Sequence, residues 1–482
     1  MPAKAPDPEG PVGRRRAGVL LHPTSLPSGD LGPDAHRFVD WLAEAGFGVW
    51  QMLPLGPPGP DRSPYQADSA HAGSPALVAP QPLVEAGWLA ADAVAEGWLG
   101  RAAECALATA DGEARASLEA FRQATAHWLD DYARYRVIKE QQGGQPWWAW
   151  PEPLRRREPQ ALARLDDEAA HALDRVRVVQ WFFARQWWAL RDHAAARGIK
   201  LFGDMPIFVA HDSAEVWQRP DLFTVDADGH PVEVAGVPPD YFSATGQRWG
   251  NPLYRWERMA EEGYAWWVER LQTELERFDW LRVDHFRGFA ACWSIPAAAA
   301  DATAGRWVEA PGQELFAVLE QRLGALPLVA EDLGLITPDV VALRQAVGLP
   351  GMRILQFAFD GGADNPYLPF NHTRASVVYT GTHDNDTTLG WWQGLDQTRQ
   401  ARILELLGQP SEPMPWPLVR AALGSVARLA VLPLQDLLGL DGSQRMNTPA
   451  TTAGNWSWRV TGDQLASLPA ARWRELLALY GR

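Results

Sequence analysis

The fold is decided by stretches in which a short apolar run ends in polar residues, as in Trp280-Leu281-Arg282-Val283-Asp284. Side chains alternate along a β-strand, so Arg282 and Asp284 share one face while Val283 lies on the other. Runs of this kind recur along the chain, most of them separated by helical patterns. They are Gly18–His22, Gly48–Leu53, Lys200–Met205, Trp280–Asp284, Leu326–Glu331, Met352–Phe357, Ser376–His383 and Ala427–Leu432.

The connections between these runs have room for helices. Between the first two runs, Phe38, Leu42 and Ala45 recur at the spacing of one helix face, and Gly46 follows where a helix would end. Short strands that alternate with helices are typical of parallel sheets. We therefore predict an α/β fold, a (β/α)8 TIM barrel. The 482 residues could form about three domains, but barrels with insertions often run as one long domain.

Two long segments interrupt the alternation. Residues 80–175 follow a helical pattern, and residues 207–270 are rich in Pro, Gly and Asp. The second segment is too long and too aromatic for a simple connector or a disordered loop, so we expect it to be functional. We predict one domain over residues 16–482 with a helical and a loop-rich insert, preceded by a disordered tail over residues 1–15.

Composition excludes several classes of partner. The chain has 59 acidic and 44 basic residues, a net charge of −15, and no basic stripe, so it is not expected to bind nucleic acid. No apolar run approaches the roughly 20 residues needed to span a membrane. Cys105 and Cys292 are isolated, which predicts neither a disulfide framework nor a cysteine metal site and fits a reducing cytoplasm. We favour a cytoplasmic monomer.

Three carboxylates follow predicted barrel strands, at the end where TIM barrels hold their active sites. Arg282 beside Asp284 favours the ionised form of that carboxylate. Glu331, crowded by other acids in a partly dry cleft, is expected to have a raised pKa. Asp384 follows His383, a pair that could also suggest a metal site. We rank that interpretation low because no second His or Cys lies at ligand spacing.

Each acid alone also has a structural interpretation. Arg282 and Asp284 could form an ion pair at a strand end, and Glu331 could lie near a helix N-terminus. The three together match retaining glycosidic bond cleavage, in which an acid protonates the leaving oxygen while a carboxylate attacks the anomeric carbon. The two carboxyl groups must then lie about 5–5.5 Å apart, which neighbouring barrel strands can provide. Asp384 could hold ring hydroxyls more tightly in the transition state.

The chain contains 25 tryptophans. Most of them must form an aromatic core, but their number also suits stacking on the flat apolar faces of sugar rings. Both interpretations remain open at this point.

The sequence resembles the 4-α-glucanotransferases called amylomaltases or disproportionating enzymes, which are related to the α-amylase barrels. The resemblance extends over residues 18–459 and includes the three segments that carry the acids. The other segments that carry it are His22–Pro27, Ser63–Gln66, Gly203–Val209, Pro238–Ser243, Thr245–Pro252, Arg445–Asn447 and Gly454–Arg459.

The resemblance implies a role for each acid, with Asp284 as the nucleophile, Glu331 as the general acid/base and Asp384 as the transition-state stabiliser. It also implies that the insert over residues 207–270 covers the active site. Further residues are implied as substrate contacts, and they are Tyr65, Asp204, Asp240, Tyr241, Phe242, Gln247, Trp249, Arg282, His285, His383 and Asn455.

The implied reaction moves a segment of a 1,4-α-D-glucan to a new 4-hydroxyl, with maltooligosaccharides as donors and glucose or another glucan as acceptor. It needs no cofactor and no metal. The chain departs from the family pattern at His71, Ser74 and Ala450, where a phenylalanine, an asparagine and a glycine are usual. These departures leave the three acids intact but bear on chain-length preference and on any secondary glucan site.

Two alternatives share the same barrel. An α-glucan hydrolase of the amylase type would use the same acids and differ in the fate of the intermediate. A hundredfold to thousandfold preference for a sugar hydroxyl over water requires roughly 3–4 kcal/mol of differential barrier, which the aromatic insert could supply by covering the intermediate. A non-catalytic glucan-binding protein is disfavoured because none of the three acids is missing.

Overall fold

The computed structural model describes residues 10–239, 243–451 and 453–482. These residues form twelve strands, numbered along the chain. They are β1 (Arg16–Leu20), β2 (Val49–Gln51), β3 (Lys200–Met205), β4 (Glu233–Val237), β5 (Gln247–Pro252), β6 (Trp280–Val283), β7 (Ala291–Pro296), β8 (Arg306–Glu309), β9 (Leu328–Ala330), β10 (Gly351–Ile354), β11 (Ser376–Tyr379) and β12 (Leu429–Pro433).

Eight of these strands close a parallel barrel in the order β1-β12-β11-β10-β9-β6-β3-β2. Closure is made by β1, which pairs in parallel with both β12 and β2. Each predicted run overlaps one barrel strand, so the predicted (β/α)8 fold is confirmed. The run at 376–383 extends beyond its strand because its last residues leave the sheet and enter the loop that carries polar side chains.

Nineteen α-helices lie in the described part of the chain. They are α1 (Pro33–Ala45), α2 (Gln81–Glu85), α3 (Trp98–Thr109), α4 (Gly112–Ala124), α5 (Leu129–Gln141), α6 (Glu152–Arg155), α7 (Pro159–Glu168), α8 (Ala170–Ala196), α9 (Ala214–Gln218), α10 (Trp256–Glu261), α11 (Ala265–Arg277), α12 (Gly312–Leu323), α13 (Pro338–Ala346), α14 (Thr388–Gln393), α15 (Gln397–Leu406), α16 (Trp416–Gly424), α17 (Leu434–Leu437), α18 (Gly462–Ala466) and α19 (Ala470–Leu479). None of them is long and apolar enough to cross a membrane.

Helix α1 follows the predicted pattern. Phe38, Leu42 and Ala45 are buried, and the helix ends at Gly46, whose φ of 86° is the left-handed conformation that glycine adopts without strain. The helix therefore buries one face against the barrel, as the spacing of its apolar residues predicted.

The helical insert consists of α2 to α7 and packs against the 27-residue α8. Residue 175, the predicted end of the insert, falls within α8, because this one helix both supports the insert and leads into β3. Several tryptophans of this region and of the barrel are completely buried, as the core interpretation expected. The fully buried tryptophans are Trp50, Trp147, Trp181, Trp187, Trp217, Trp267 and Trp280.

A four-stranded antiparallel sheet, in the order β5-β4-β7-β8, lies outside the barrel. Strands β4 and β5 belong to the loop-rich insert, whereas β7 and β8 form a second excursion directly after β6. The sequence analysis did not predict these strands, and their short, irregular pairing explains why. The register of β4 against β5 shifts between Val234 and Gly236.

The predicted tail lies only partly in the described chain. Residues 1–9 are outside the described residues, whereas the Arg15 guanidinium donates hydrogen bonds to the carbonyls of Ser425 and Leu423, at 2.8 and 3.0 Å. These carbonyls lie before β12, so Arg15 packs against the end of the barrel opposite the three acids.

Candidate active site

Two of the three acids follow their strands directly. Asp284 comes after β6 and Glu331 after β9, and these strands pair with Val283 opposite Ala330. The Glu331 amide continues the pairing by donating to the Val283 carbonyl, at 3.0 Å. Strand register therefore places the two carboxyl groups side by side at the same end of the barrel.

Asp284 is paired with a buried guanidinium. Its Oδ1 lies 2.8 Å from Arg282 Nη2, and Arg282 Nη1 contacts both oxygens of Asp204 at 2.8 and 2.7 Å. The Arg282 side chain is 5% exposed and that of Asp284 is 30% exposed. A buried guanidinium requires such partners, and its charge stabilises the ionised Asp284 carboxylate. The predicted shared face of Arg282 and Asp284 is confirmed.

Glu331 lies in a contrasting environment. Its Oε2 accepts a hydrogen bond from the His285 amide at 2.7 Å and its Oε1 accepts one from the Leu333 amide at 3.0 Å. Burial and the nearby Asp284 charge nevertheless raise the pKa of Glu331 to about 8, against the opposing influence of Arg282. The direction of this shift agrees with the predicted rise in pKa and favours the protonated form of the carboxyl.

His285 adopts a strained backbone conformation, with φ of 50° and ψ of 49°. Non-glycine residues adopt this conformation at an energetic cost, and such residues cluster at functional sites. It directs the amide at Glu331, while Nε2 is buried without a hydrogen-bond partner among the described residues. Burial lowers the pKa of His285 to about 4, so the imidazole is neutral at pH 7. Such a group is suited to bind a sugar hydroxyl.

Asp384 lies in the loop after β11 and is the most open of the three acids, with 47% of its side chain exposed. Its Oδ1 accepts a hydrogen bond from Asn447 Nδ2 at 2.7 Å and lies 3.4 Å from His383 Nε2. Its backbone carbonyl accepts one from Arg445 Nη2 at 2.9 Å. The segment Arg445–Asn447 belongs to the family resemblance, but its sequence alone predicts no role for Arg445 or Asn447, which is visible only in these contacts.

Tyr65 links His383, the residue before Asp384, to the buried ion pair of Asp204 and Arg282. Its hydroxyl donates to Asp204 Oδ2 at 2.9 Å and lies 2.9 Å from His383 Nε2, with the Tyr65 and His383 rings stacked at 5.3 Å. Burial raises the pKa of Tyr65 well above its usual value, so the phenol keeps its proton. Asp204 has no exposed side-chain surface. It therefore orients Tyr65 and Arg282 instead of presenting an oxygen to the cleft.

Trp456 was missed as a site residue. Its ring lies 5.9 Å from Tyr65 and 6.0 Å from His383, and its backbone has a φ of 60°. The signal was present in the quoted segment Gly454–Arg459, from which only Asn455 was selected. The Asn455 side-chain oxygen accepts a hydrogen bond from the Thr448 backbone N–H, and its side-chain nitrogen donates one to the Thr451 carbonyl, both at 2.9 Å. It thus holds its own loop together.

The predicted contacts of the loop-rich insert divide into two sets. Gln247 and Trp249 lie on β5, where Trp249 Nε1 donates to Gln247 Oε1 at 3.1 Å. The Trp249 ring meets His285 at 4.8 Å in a perpendicular arrangement, which brings the insert to the end of β6. The three predicted contacts Asp240, Tyr241 and Phe242 lie outside the described residues.

Across residues 10–239, 243–451 and 453–482, no group of three or more His, Cys, Asp or Glu side chains is arranged to hold a metal ion. The polar groups that surround the cleft are the carboxyl groups, the Arg282 guanidinium and the hydrogen-bonding side chains described above.

Comparisons with known proteins agree with this geometry. The 4-alpha-glucanotransferase family profile matches residues 20–465. The chain is 48% identical to the 4-alpha-glucanotransferase of Thermus thermophilus, over 96% of this chain and 98% of that protein. It is 43% identical to the chloroplastic/amyloplastic 4-alpha-glucanotransferase of Arabidopsis thaliana, over 99% of this chain and 87% of that protein.

Among solved structures, the amylomaltase from Streptococcus agalactiae in complex with acarbose superposes with a TM-score of 0.94 at 36% identity. The superposition covers 97% of this chain and all of that one. The extent of these matches, together with the three acids on one barrel rim, establishes that the chain belongs to the 4-alpha-glucanotransferase family.

Proposed function

We propose that this 4-alpha-glucanotransferase transfers a segment of an α-1,4-glucan to the 4-hydroxyl of glucose or another glucan by retaining double displacement. Asp284 is the nucleophile, Glu331 the general acid/base and Asp384 the transition-state stabiliser. One observation carries the proposal. An arginine-paired carboxylate lies beside a carboxyl whose pKa is raised to about 8, on adjacent strands β6 and β9.

In the first step the protonated Glu331 gives its proton to the glycosidic oxygen. Asp284 attacks the anomeric carbon, the bond to the leaving sugar breaks, and a covalent glycosyl ester forms on Asp284. The two environments support this division of labour, because Arg282 stabilises the charge of Asp284 while burial keeps the proton on Glu331.

In the second step the acceptor replaces the leaving sugar. Glu331, now ionised, removes the proton from the acceptor 4-hydroxyl, whose oxygen attacks the anomeric carbon. The ester bond to Asp284 breaks, the retained α-linkage forms, and Glu331 ends the cycle protonated. The raised pKa of Glu331 suits both directions of this proton transfer, because it lies close to neutral pH.

Asp384 is proposed to bind ring hydroxyls of the donor sugar as positive charge develops at the anomeric carbon. Its exposed carboxylate, held by Asn447, supports that role. His383, Tyr65 and Trp456 surround the same position and offer a hydrogen-bonding and stacking surface for the sugar. Together with His285 they would line the subsite next to the bond that is cleaved.

A transferase must also keep water from the intermediate. Trp249 on β5, packed against His285 at the end of β6, supports a role for the loop-rich insert in covering this position. Gln247, and the predicted contacts Asp240, Tyr241 and Phe242, remain proposed glucan contacts of the same insert. The hydrolase alternative shares the acids, and the family membership favours transfer.

The cellular setting is proposed on chemical grounds. Cys105 and Cys292 are free thiols, which is typical of proteins in a reducing compartment and supports the cytoplasm. The net charge of −15 disfavours polyanionic partners and suits neutral substrates such as maltooligosaccharides.

A time course with maltotriose, with and without added glucose, tests the proposal. We expect a ladder of longer and shorter oligosaccharides while the number of reducing ends stays constant. Added glucose should increase the short products by serving as an acceptor. A steady rise in reducing ends would instead identify a hydrolase, and an unchanged substrate would contradict transfer from donors of this length.

A further inference from the structure

The loop that carries Asp384 is fastened at both of its ends to one buried carboxyl group. This loop spans residues 380–388, from the end of β11 to the first residue of α14. Its first residue, Thr380, donates its hydroxyl to Asp436 Oδ2 at 2.5 Å. Its last residue, Thr388, donates its hydroxyl to the same oxygen at 2.6 Å and its amide to Oδ1 at 2.8 Å.

Asp436 lies deep in the protein and outside the cleft. It belongs to α17, immediately after β12, the barrel strand that pairs with β11. Its exposed fraction is 1%, and both threonines are completely buried. A side chain at this depth does not contact the glucan, so any effect on catalysis must pass through the loop.

Other contacts hold the middle of the loop. Asn385 Oδ1 accepts hydrogen bonds from the amide and hydroxyl of Thr382, at 2.8 and 3.0 Å. Gln356 Nε2, at the end of β10, donates to the Asp386 carbonyl at 2.8 Å. These bonds lie within the turn around Asp384, whereas Asp436 is hydrogen-bonded to both ends of the loop.

A buried acid in this position is costly unless its hydrogen bonds are worth more than its desolvation. Besides burial, the groups that act most strongly on its carboxyl are Thr380, Thr388 and Asp386. Burial raises the pKa of Asp436, and the threonine hydrogen bonds oppose that rise. An apolar side chain would avoid the desolvation but would leave two hydroxyls and one amide without an acceptor, so the acid serves to fasten the loop.

We propose that Asp436 is a positioning residue for transfer, which sets the place of the Asp384 carboxylate by joining the two ends of loop 380–388. The proposal rests on the role given to Asp384 above. Transition-state contacts are sensitive to placement, and a displacement of about 1 Å can cost on the order of 100-fold in rate. Asp436 thus acts on kcat without touching the substrate.

The first test compares Asp436→Ala with Asp279→Ala. Asp279 serves as the control because it is also a buried acid, 8% exposed, at the opposite end of β6, where it accepts from the Leu201 amide at 3.0 Å and pairs with Arg191 at 3.7 Å. We expect both variants to unfold at lower temperature. Only Asp436→Ala should lower kcat for maltotriose, by on the order of 100-fold with KM nearly unchanged. Equal kcat losses in the two variants would overturn the proposal.

A double-mutant cycle identifies the route of the effect. The rates of Asp384→Asn and of Asp384→Asn combined with Asp436→Ala are measured with α-maltosyl fluoride as donor and glucose as acceptor. Because Asp436 acts through Asp384, its removal should add little once the Asp384 carboxylate is gone. The same fold-loss in both backgrounds would overturn the positioning role, whereas a near-normal rate of Asp384→Asn alone would overturn the role of Asp384 itself.

Thr388 provides a milder version of the test if Asp436→Ala does not fold. Thr388→Val removes one hydroxyl. It keeps the size of the side chain and the hydrogen bond from the residue 388 backbone N–H to Asp436. We expect a smaller loss of kcat, largely restored in Thr388→Ser, which keeps the hydroxyl. A Thr388→Val variant with unchanged kcat would contradict the proposal.

Discussion

The three acids are held in two different ways. Asp284 and Glu331 directly follow paired strands, and backbone hydrogen bonds between β6 and β9 set their relative position. Asp384 lies in a loop whose place depends on side chains from distant parts of the chain, Asn447 and Asp436 among them. The proposed nucleophile and the proposed acid/base are thus fixed by the barrel, whereas the place of the proposed transition-state stabiliser depends on tertiary contacts.

The largest effect is expected at the strand-held nucleophile. Asp284→Asn removes the covalent step, and the rate should fall by at least about 10⁴-fold, as when other covalent catalysts are removed. The protein should still fold and bind maltooligosaccharide, since the barrel does not depend on this carboxylate. Transfer assays and calorimetric binding measure the two properties. Residual activity within tenfold of wild type would contradict the assignment of Asp284.

Glu331→Gln removes the second acid that directly follows a barrel strand. General acid catalysis contributes roughly 10²–10⁴-fold, so transfer from maltotriose should fall within that range. An α-maltosyl fluoride donor has a leaving group that needs no proton, and formation of the glycosyl-enzyme from it should be much less affected. A burst of fluoride release measures this step. An equal loss with both donors would argue against Glu331 as the proton donor.

The raised pKa of Glu331 also predicts how the enzyme responds to pH. The first step requires the protonated acid, so kcat/KM should fall about tenfold per pH unit above a pKa of about 8. The unfolded chain has a lower pKa, near 4.3. The folded state therefore holds a proton that the unfolded state lacks between about pH 4 and 8. Stability should decrease as pH rises through that window.

Glu331→Gln provides the control for this linkage. The variant lacks the titrating group. The difference between its melting temperature and that of wild type should therefore shift in favour of the variant as pH rises from 4 to 8. Differential scanning calorimetry across that range measures the difference. A constant difference between the two proteins would contradict the raised pKa of Glu331.

The smallest effect is expected where a single side chain holds the loop acid. Asn447→Ala removes one hydrogen bond to the Asp384 carboxylate. A hydrogen bond to a charged group contributes about 1.5 kcal/mol, which corresponds to about tenfold in kcat. Asn371→Ala is a matched control, because Asn371 binds the Ala363 and Asn365 carbonyls of another loop. Similar kcat values for the two variants would show that Asp384 needs no such support.

The sequence predicted the strand-held part of the site well. All eight barrel strands, helix α1, the shared face of Arg282 and Asp284 and the raised pKa of Glu331 agree with the structure. These features depend on local periodicity and on the rule that parallel barrels gather the ends of their strands at one rim. A residue at a strand end is therefore placed in the site by its own neighbours in the chain.

Prediction was weaker wherever a residue's place depends on partners far away in the chain. The sheet β5-β4-β7-β8 was missed because two short excursions must meet in space to form it. Asp204 was predicted as a substrate contact, yet its side chain is fully buried between Tyr65 and Arg282. Asn447 and Trp456 lie in segments that carry the family resemblance, but neither was predicted as a site residue.

Sequence alone thus determined the barrel, the strand ends at which Asp284 and Glu331 stand, and the chemistry that such a pair of carboxyl groups can perform. The tertiary structure decided which polar side chains reach the cleft. It also decided which ones, like Asp436, are buried outside the cleft and support the residues that line it. The physical reason is the separation along the chain of the residues that interact. Strand alternation and register are local and repeat along the chain, whereas the hydrogen bonds that join loop 380–388 to α17 and to the C-terminal segment connect residues about 50 or more positions apart.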